Sequence, residues 1–320
     1  MGISLGVVMD PIETINVKKD SSLAMLLAAK AKGVKLYYMT DQDIFIENGQ
    51  AMGAGCELDV FDDNQKWFAK GQPQMINLGS LDAILMRKDP PFDNQFLYAT
   101  HILEMASSQG ALVINQPASL RDCNEKIFAT HFPNCCPPHL VTSNPERLKA
   151  FHKQYQDVIF KPLDAMGGSQ IFRLKPDESN LNVIIETLTN YGTISIMAQA
   201  FIPAIKNGDK RILLIDGQPI PFGLARIPAA DDIRGNLAAG ATNETRALTD
   251  RDYWICEQVA PTLKAKGLFF VGLDVIGDFL TEINVTSPTC IREISLATNI
   301  NIAEQFVDKL LEKIADHAKN

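Results

Sequence analysis

Three oxygen-bearing side chains lie close together near the end of this 320-residue chain: Asp274, Glu282 and Asn284, all within FVGLDVIGDFLTEINV at 270–285. Carboxylate and amide oxygens are the ligands that a hard divalent cation takes. The segment reads as two apolar strands joined by a tight turn, and side chains alternate along a strand, so Glu282 and Asn284 share a face. Asp274 joins that face only if the turn holds an odd number of residues. A three-residue turn at Gly277-Asp278-Phe279 sets Asp274 opposite Glu282, whereas a two-residue turn at Gly277-Asp278 aims it away. The flanking residues (Phe269, Phe270, Val271, Leu273, Val275, Ile283, Val285) are apolar. Burying unpaired carboxylates among them is costly, and a bound cation would offset that cost. Taken alone, the same pattern also fits a solvated hairpin face.

A second group suits phosphate. Lys161 ends the apolar run VIFKPL and precedes DAMGGSQ, in which Gly167 and Gly168 allow backbone N–H groups to approach an anion closely. The loop is neither G-x-x-x-x-G-K-[ST] nor G-x-G-x-x-G, which excludes Walker and Rossmann readings. Between antiparallel strands it can fold over a nucleotide as a lid. Arg211, Arg226, Arg234, Arg246 and Arg292 cluster in the C-terminal third, with Arg87 at the end of an earlier strand. Guanidinium groups bind carboxylates and phosphates bidentately, although any one of them can equally be a surface ion pair. Arg226 stands out because its neighbours in LARIP are apolar. His131, Cys135, Cys136 and His139 imitate a zinc site, but adjacent cysteines within a proline-rich segment fit one tetrahedral ion poorly. No Ser-His-Asp or Cys-His pattern stands out.

These groups need elements to hold them. Residues 3–9 and 34–39 read as strands around a helix capped by Asp20 or Ser21 and stopped by Gly33, which predicts a parallel sheet. Asn48-Gly49 predicts a hairpin turn. Further strands are expected at 83–88 and 111–115 around a helix near 94–108. The character changes near residue 122. A helix is expected to carry Lys126, another to start at Pro145, and strands to occupy 158–163, 171–175 and 194–202, with a helix at about 181–191. A hairpin turning at Asp216-Gly217 follows, then a long loop over 228–248. Thr249 and Asp252 form a capping-box pattern opening a helix to about Lys266. Ile302, Phe306, Leu310 and Ile314 recur at helical spacing.

The length fits two or three subdomains. With 46% apolar and 21% charged residues, a large core is possible. A net charge of −8 argues against a nucleic-acid partner. No run of about 18 apolar residues predicts a membrane span, and no signal-peptide pattern opens the chain. Six cysteines without a C-x-x-C pair point to a reducing, cytoplasmic setting.

MDPIETINVKKDSS near the start, LMRKDPPFD (85–93), LRDCNEK (120–126), KPLDAMGGSQIF (161–172), MAQAFIP (197–203), GDKRILLIDG (208–217), LARIP (224–228), RGNLAAG (234–240) and FVGLDVIGDFLTEINVTSPT (270–289) together resemble the bacterial glutathione synthetases, from about residue 3 to 315. The resemblance implies an α/β (α+β) ATP-grasp fold: an N-terminal parallel-sheet domain over 1–122, a central lid subdomain over 123–203 and a C-terminal subdomain over 204–320. It implies ATP-dependent joining of γ-glutamylcysteine to glycine through an acyl phosphate, with ATP as co-substrate, Mg²⁺ or Mn²⁺ as cofactor and a homotetrameric assembly. Lys126 and Lys161 would contact the phosphates under Gly167 and Gly168. Gln199, Ala200, Phe201 and Ile202 would form the adenine hinge, and Asp209 would hold the ribose. Asp274, Glu282 and Asn284 would hold the metal. Arg87, Arg211, Arg226, Arg234, Ser287, Pro288 and Thr289 would surround the other substrates, with Arg211, Arg226 and Lys161 acting in the chemistry. The chain departs from the family pattern at Ala165 and at Ala241-Thr242-Asn243. Another ATP-grasp ligase and a non-catalytic nucleotide-binding module are the alternative readings.

Overall fold

The computed structural model describes residues 2–165, 167–229 and 242–319. Among these, the strands form three sheets. The first comprises β1 (Ser4–Val8), β2 (Lys35–Met39), β3 (Ile44–Glu47), β4 (Gln50–Val60), β5 (Phe68–Asn77), β6 (Ala83–Met86) and β7 (Leu112–Ile114). Its order is β3-β4-β2-β1-β6-β7, with β5 paired to β4. The β1–β2, β1–β6 and β6–β7 pairs are parallel, as the β-α-β opening predicts. The connecting helix α1 (Ser21–Ala31) is capped by the Asp20 carboxylate, which accepts from Leu23 N at 2.6 Å. Helix α2 (Asn94–Ser108) crosses between β6 and β7.

The second sheet is antiparallel and small: β8 (His139–Thr142), β9 (Val158–Pro162), β10 (Phe172–Leu174) and β11 (Ile196–Ala200), in the order β10-β9-β11-β8. Helices α4 (Pro145–Tyr155) and α5 (Leu181–Thr189) cover one face, following the short α3 (Pro117–Asp122). Leu148, Phe160, Ile185 and Ile196 build a separate small core there.

The third sheet, also antiparallel, runs β14-β13-β12-β15-β16, with β12 (Asp209–Ile215), β13 (Gln218–Ile227), β14 (Thr242–Ala247), β15 (Phe270–Ile276) and β16 (Phe279–Asn284). Helices α6 (Asp250–Ala265), α7 (Ile291–Thr298) and α8 (Ile302–His317) complete the chain. Thr249 and Asp252 form both halves of the expected capping box. The spaced residues of α8 are buried: Phe306 and Leu310 lie in one core with Phe270 of the third sheet and Leu5 of the first.

Three expectations need correction. Lys126 lies in a turn between α3, which ends at Asp122, and a short 3-10 segment at Phe128–His131; the Asn124 side chain accepts from the Lys126 and Ile127 N–H groups and opens that turn. Residues 242–247, read as part of a long loop, form β14, an edge strand paired to β13. The terminal hairpin follows neither turn geometry considered. Its turn is the two-residue Gly277-Asp278, yet Asp274 still pairs with Glu282, because a register shift between Asp274 and Val275 leaves Thr281 as an extra residue in β16. Thr281 Oγ1 donates to the Asp274 carbonyl at 3.0 Å. Leu280 and Ile283 both enter the same core, although an odd spacing separates them. A bulge is the way for a strand to bury both while keeping Glu282 and Asn284 on the other face.

The Asn115 side chain ties the first sheet to this hairpin. Its Nδ2 donates to the Phe270 and Val285 carbonyls, both at 2.8 Å, and its Oδ1 accepts from Phe269 N (2.7 Å) and Phe270 N (2.9 Å). All four hydrogen-bonding sites of the amide are therefore used on backbone at both strands of the hairpin.

Candidate functional site

A cavity of about 180 Å³ opens between one face of the second sheet and one face of the third. A second cavity of about 310 Å³ adjoins it and shares Glu125, Gly167, Arg211, Arg226 and Asn284 with the first. Strand pairing builds the floor. Asp209 faces Arg226 across β12 and β13, Arg211 faces Asp274 across β12 and β15, and Asp274 faces Glu282 across β15 and β16. Residues 209 and 211, like 282 and 284, are two apart and so share a face. The result is a row of two arginines and three carboxylates laid across one sheet.

The row is tightly bonded. Arg211 donates from Nε to Asp274 Oδ1 at 2.6 Å and from Nη2 to Oδ2 at 3.1 Å. Arg226 Nη2 lies 3.0 Å from Asp274 Oδ2 and 2.5 Å from Asp209 Oδ2. Burial works against charge on Asp274, but Arg211 and Arg226 outweigh it and hold the carboxyl well below its ordinary range. Gly272 makes room for this contact: a Cβ there would stand 2.9 Å from Arg211 Cδ. Burial pushes Asp209 up to about 7; Arg226 opposes the rise, while the negative Asp274 and Glu282 add to it. Among the described residues its Oδ1 is buried without a hydrogen-bond partner. A buried acceptor left open toward a cavity is a place for a ligand hydroxyl.

Glu282 is met from the second sheet. Lys161 Nζ, on β9, is 3.4 Å from Glu282 Oε1, and Lys126 Nζ is 3.6 Å from the same atom. Burial opposes ionisation of Glu282, but the two ammonium groups prevail and lower its pKa. Lys126 Nζ also donates to the Ala165 carbonyl at 2.8 Å, which anchors the start of the glycine loop. Gly167 (φ +70°) and Gly168 (φ +76°) occupy the left-handed region, which side chains other than glycine enter at a cost.

At the far end, Ile159, Ile171, Ile205 and Ile276 give the first cavity apolar walls. β11 ends at Ala200. The Ala200 and Phe201 N–H groups are used on Pro138 and Asp157 carbonyls, at 2.9 Å each. The Phe201 carbonyl and Ile202 N–H have no backbone partner among the described residues. One donor and one acceptor, adjacent and beside apolar walls, can read the edge of a flat heterocycle.

Asp274, Glu282 and Asn284 are thus brought together, with Asp274 already clamped by two arginines. The Asn284 amide donates to the Gly272 carbonyl at 3.2 Å, leaving its oxygen available. Among the described residues no three His, Cys, Asp or Glu side chains form a ready metal cluster, so an ion here would rely on the amide oxygen and on shared use of Asp274. Charge argues for one. Among the described residues, the first cavity is lined by Lys126, Lys161, Arg211 and Arg226 against Glu125, Asp209, Asp274 and Glu282, four basic side chains facing four carboxyl groups. A polyphosphate entering a site with no net positive charge needs an added counter-ion.

Ser287, Pro288 and Thr289 line the second cavity with Arg211 and Arg226. Arg87 stands behind that loop. Its Nε donates to Ser22 Oγ at 3.0 Å and its Nη2 to the Pro288 carbonyl at 2.9 Å, so it props the wall. Arg234 lies outside the described residues, as does the RGNLAAG segment around it. Arg246 is half-buried and pairs with Glu244 at 2.5 Å, and Arg292 pairs with Asp62 at 3.1 Å. Glu125, which was not singled out in the sequence, lines both cavities; its place between Asn124 and Lys126 in LRDCNEK was the only available signal.

Comparison with known proteins agrees with this geometry. Residues 3–121 match the model of the prokaryotic glutathione synthetase N-terminal domain, and residues 125–299 match that of the prokaryotic glutathione synthetase ATP-grasp domain. Glutathione synthetase of Pseudomonas putida is 58% identical over 98% of this chain and 99% of its own length. That of Vibrio parahaemolyticus is 55% identical over 98% and 99%. Among solved structures, a D-cycloserine synthetase superposes with a TM-score of 0.68 at 12% identity, covering 97% of this chain and 99% of its own. An ATP-grasp ligase complexed with a minimal precursor gives 0.65 at 18%, covering 98% of each chain. The fold is therefore ATP-grasp, and the chain belongs to the prokaryotic glutathione synthetase family.

Proposed function

We propose that this chain joins γ-glutamylcysteine to glycine at the expense of ATP, releasing glutathione, ADP and phosphate. It is a ligase forming a C–N bond. The observation that carries this reading is the charged row Arg211–Asp274–Glu282 meeting Lys126 and Lys161 where two cavities join, in a chain with full-length synthetase relatives.

The nucleotide occupies the cavity between the second and third sheets. Its base lies among the isoleucines, against the free backbone groups of Phe201 and Ile202 and beside Gln199 and Ala200. Asp209 accepts from a ribose hydroxyl with its open oxygen. Lys126, Lys161 and the N–H groups of Gly167 and Gly168 hold the phosphates. Asp274, Glu282 and Asn284 would hold Mg²⁺ or Mn²⁺, which supplies charge neutralisation on the phosphoryl oxygens. The dipeptide enters the second cavity between Arg211, Arg226 and the Ser287-Pro288-Thr289 wall that Arg87 supports. Its carboxylate oxygen takes the terminal phosphoryl group, forming an acyl phosphate and ADP. The amine of glycine then forms the C–N bond, and phosphate departs with the electron pair of the broken C–O bond. Arg226 stabilises the oxyanion between these steps. Arg234, from the segment beyond the described residues, would cover the bound substrates. We extend the same reading to the division at 1–122, 123–203 and 204–320 and to a homotetramer. Among the described residues no helix is long and apolar enough to cross a membrane, and a cytoplasmic location fits a reaction on small soluble substrates.

The test is ADP release from ATP with Mg²⁺ and γ-glutamylcysteine, with and without glycine. Release that depends on the dipeptide and rises with glycine is expected, with glutathione as product. Equal release with unrelated acids and amines would assign the chain to a different ligation, and no release at all would leave only nucleotide binding.

A further inference from the structure

Among the described residues four carboxylates line the first cavity, and three of them are already spoken for. Asp209 is bonded to Arg226, Asp274 to Arg211 and Arg226, and Glu282 faces Lys126 and Lys161. Glu125 differs. Among the described residues it forms no ion pair, and the one hydrogen bond to its carboxylate comes from the neutral Thr286 hydroxyl, at 2.9 Å to Oε1. Its position is fixed by backbone: the Glu125 carbonyl accepts from Ile283 N at 2.9 Å, which places it beside β16 between Glu282 and Asn284. Asn124, which caps the same turn, holds the other side through Leu163 O at 3.1 Å. Glu125 thus sits where the phosphate cavity and the second cavity meet.

That junction is where the proposed reaction brings a nitrogen to an acyl carbon. The incoming amino acid carries an ammonium group in neutral water, and Asp209, Asp274 and Glu282 are already engaged by arginine or lysine. An unpaired carboxylate at the junction answers both needs: it attracts the nitrogen and orients its N–H groups. We propose that Glu125, with Thr286 steadying its carboxylate, is the residue that binds and aims the amino group of the acceptor amino acid. The assignment rests on the function proposed above. The nitrogen first gives one proton to water, which frees its electron pair; as the C–N bond then forms and the C–O bond to phosphate breaks, it gives a second proton to the departing phosphate, and Glu125 ends as it began.

The test uses the full-length Glu125→Gln and Glu125→Asp variants with ATP, Mg²⁺ and γ-glutamylcysteine. Two acceptors are compared: glycine, and hydroxylamine, which is uncharged at neutral pH and traps the acyl phosphate as a hydroxamate. A lost charge-assisted contact should raise the KM for glycine roughly 10–100-fold in Glu125→Gln. KM for ATP and the dipeptide and the rate of hydroxamate formation should stay within about twofold of the parent enzyme, and Glu125→Asp should recover part of the glycine affinity. An unchanged glycine KM overturns the proposal. So does a parallel fall with both acceptors, since that places Glu125 on the phosphoryl side or in the fold. If the parent enzyme itself forms no hydroxamate, the ligase reading has failed rather than this assignment.

Discussion

The carboxylates of the site are distinguished by their partners. Asp274 accepts two hydrogen bonds from Arg211 and pairs with Arg226 at 3.0 Å, while Glu282 faces two ammonium groups at longer range and stays open to the cavity. Glu282→Gln keeps the volume and an acceptor oxygen, so the variant should fold; turnover should fall roughly 10²–10³-fold, as when one preorganised charge contact is removed. Mn²⁺ binding in the presence of nucleotide, followed by electron paramagnetic resonance, should weaken with it. Activity near that of the parent would sink the metal assignment. Asp274 has a pH signature. Its folded pKa lies below the ordinary 3.8, so the unfolded chain takes up its proton first as pH falls. Its contribution to stability is therefore present above about pH 4 and is lost as pH drops through the folded value. The gap in urea-unfolding free energy between the parent and Asp274→Asn should be widest near neutrality and close in acid. A gap that persists unchanged at pH about 3 would refute the arginine clamp.

Two devices at the level of elements aim the hairpin. One is the Thr281 bulge, which lets Leu280 and Ile283 enter one core while Glu282 stays opposite Asp274. The other is Asn115, whose amide holds the backbone at Phe269, Phe270 and Val285. Asn115→Ala strands these buried backbone groups without partners. A loss of about 2–4 kcal/mol is expected from chemical denaturation, because each unsatisfied buried group costs on the order of 1–3 kcal/mol and relaxation recovers part of it. A loss under about 0.5 kcal/mol, the range of ordinary surface changes, would show that the hairpin does not depend on this tie. The odd spacing of Leu280 and Ile283 was visible in FLTEIN, but its meaning depended on knowing that both face the same core.

For the molecule as a whole, the nucleotide cavity lies between two sheets with largely separate cores, so a ligand bridging Lys161 on one and Glu282 or Asp209 on the other should stabilise both together. A non-hydrolysable ATP analogue at about 100 times its Kd should add about 2.7 kcal/mol. Since the cavity's own charges balance, most of that gain should require Mg²⁺. Thermal unfolding with the analogue, with and without the ion, measures it, and equal stabilisation in both would contradict the charge argument.

The amino-acid order by itself determined much. Asp20, Asn48-Gly49, Asp216-Gly217 and the Thr249/Asp252 box mark where chain direction changes, because capping and turn chemistry act over a few residues. Likewise, the segments carrying Lys161, Arg211, Arg226 and the Asp274–Asn284 hairpin could be read as chemistry-bearing from their residue types. Tertiary structure decided which of these groups meet. β14 pairs only because β13 offers it an edge, and Lys126 lies in a turn that the Asn124 side chain opens. Arg87 and Arg226 are both arginines near apolar neighbours, yet one props a wall and the other joins the row. Glu125 gains its standing from the pairing of every other carboxylate around it. Such assignments depend on distances between residues remote in sequence, and those distances are fixed by packing, not by local residue preference.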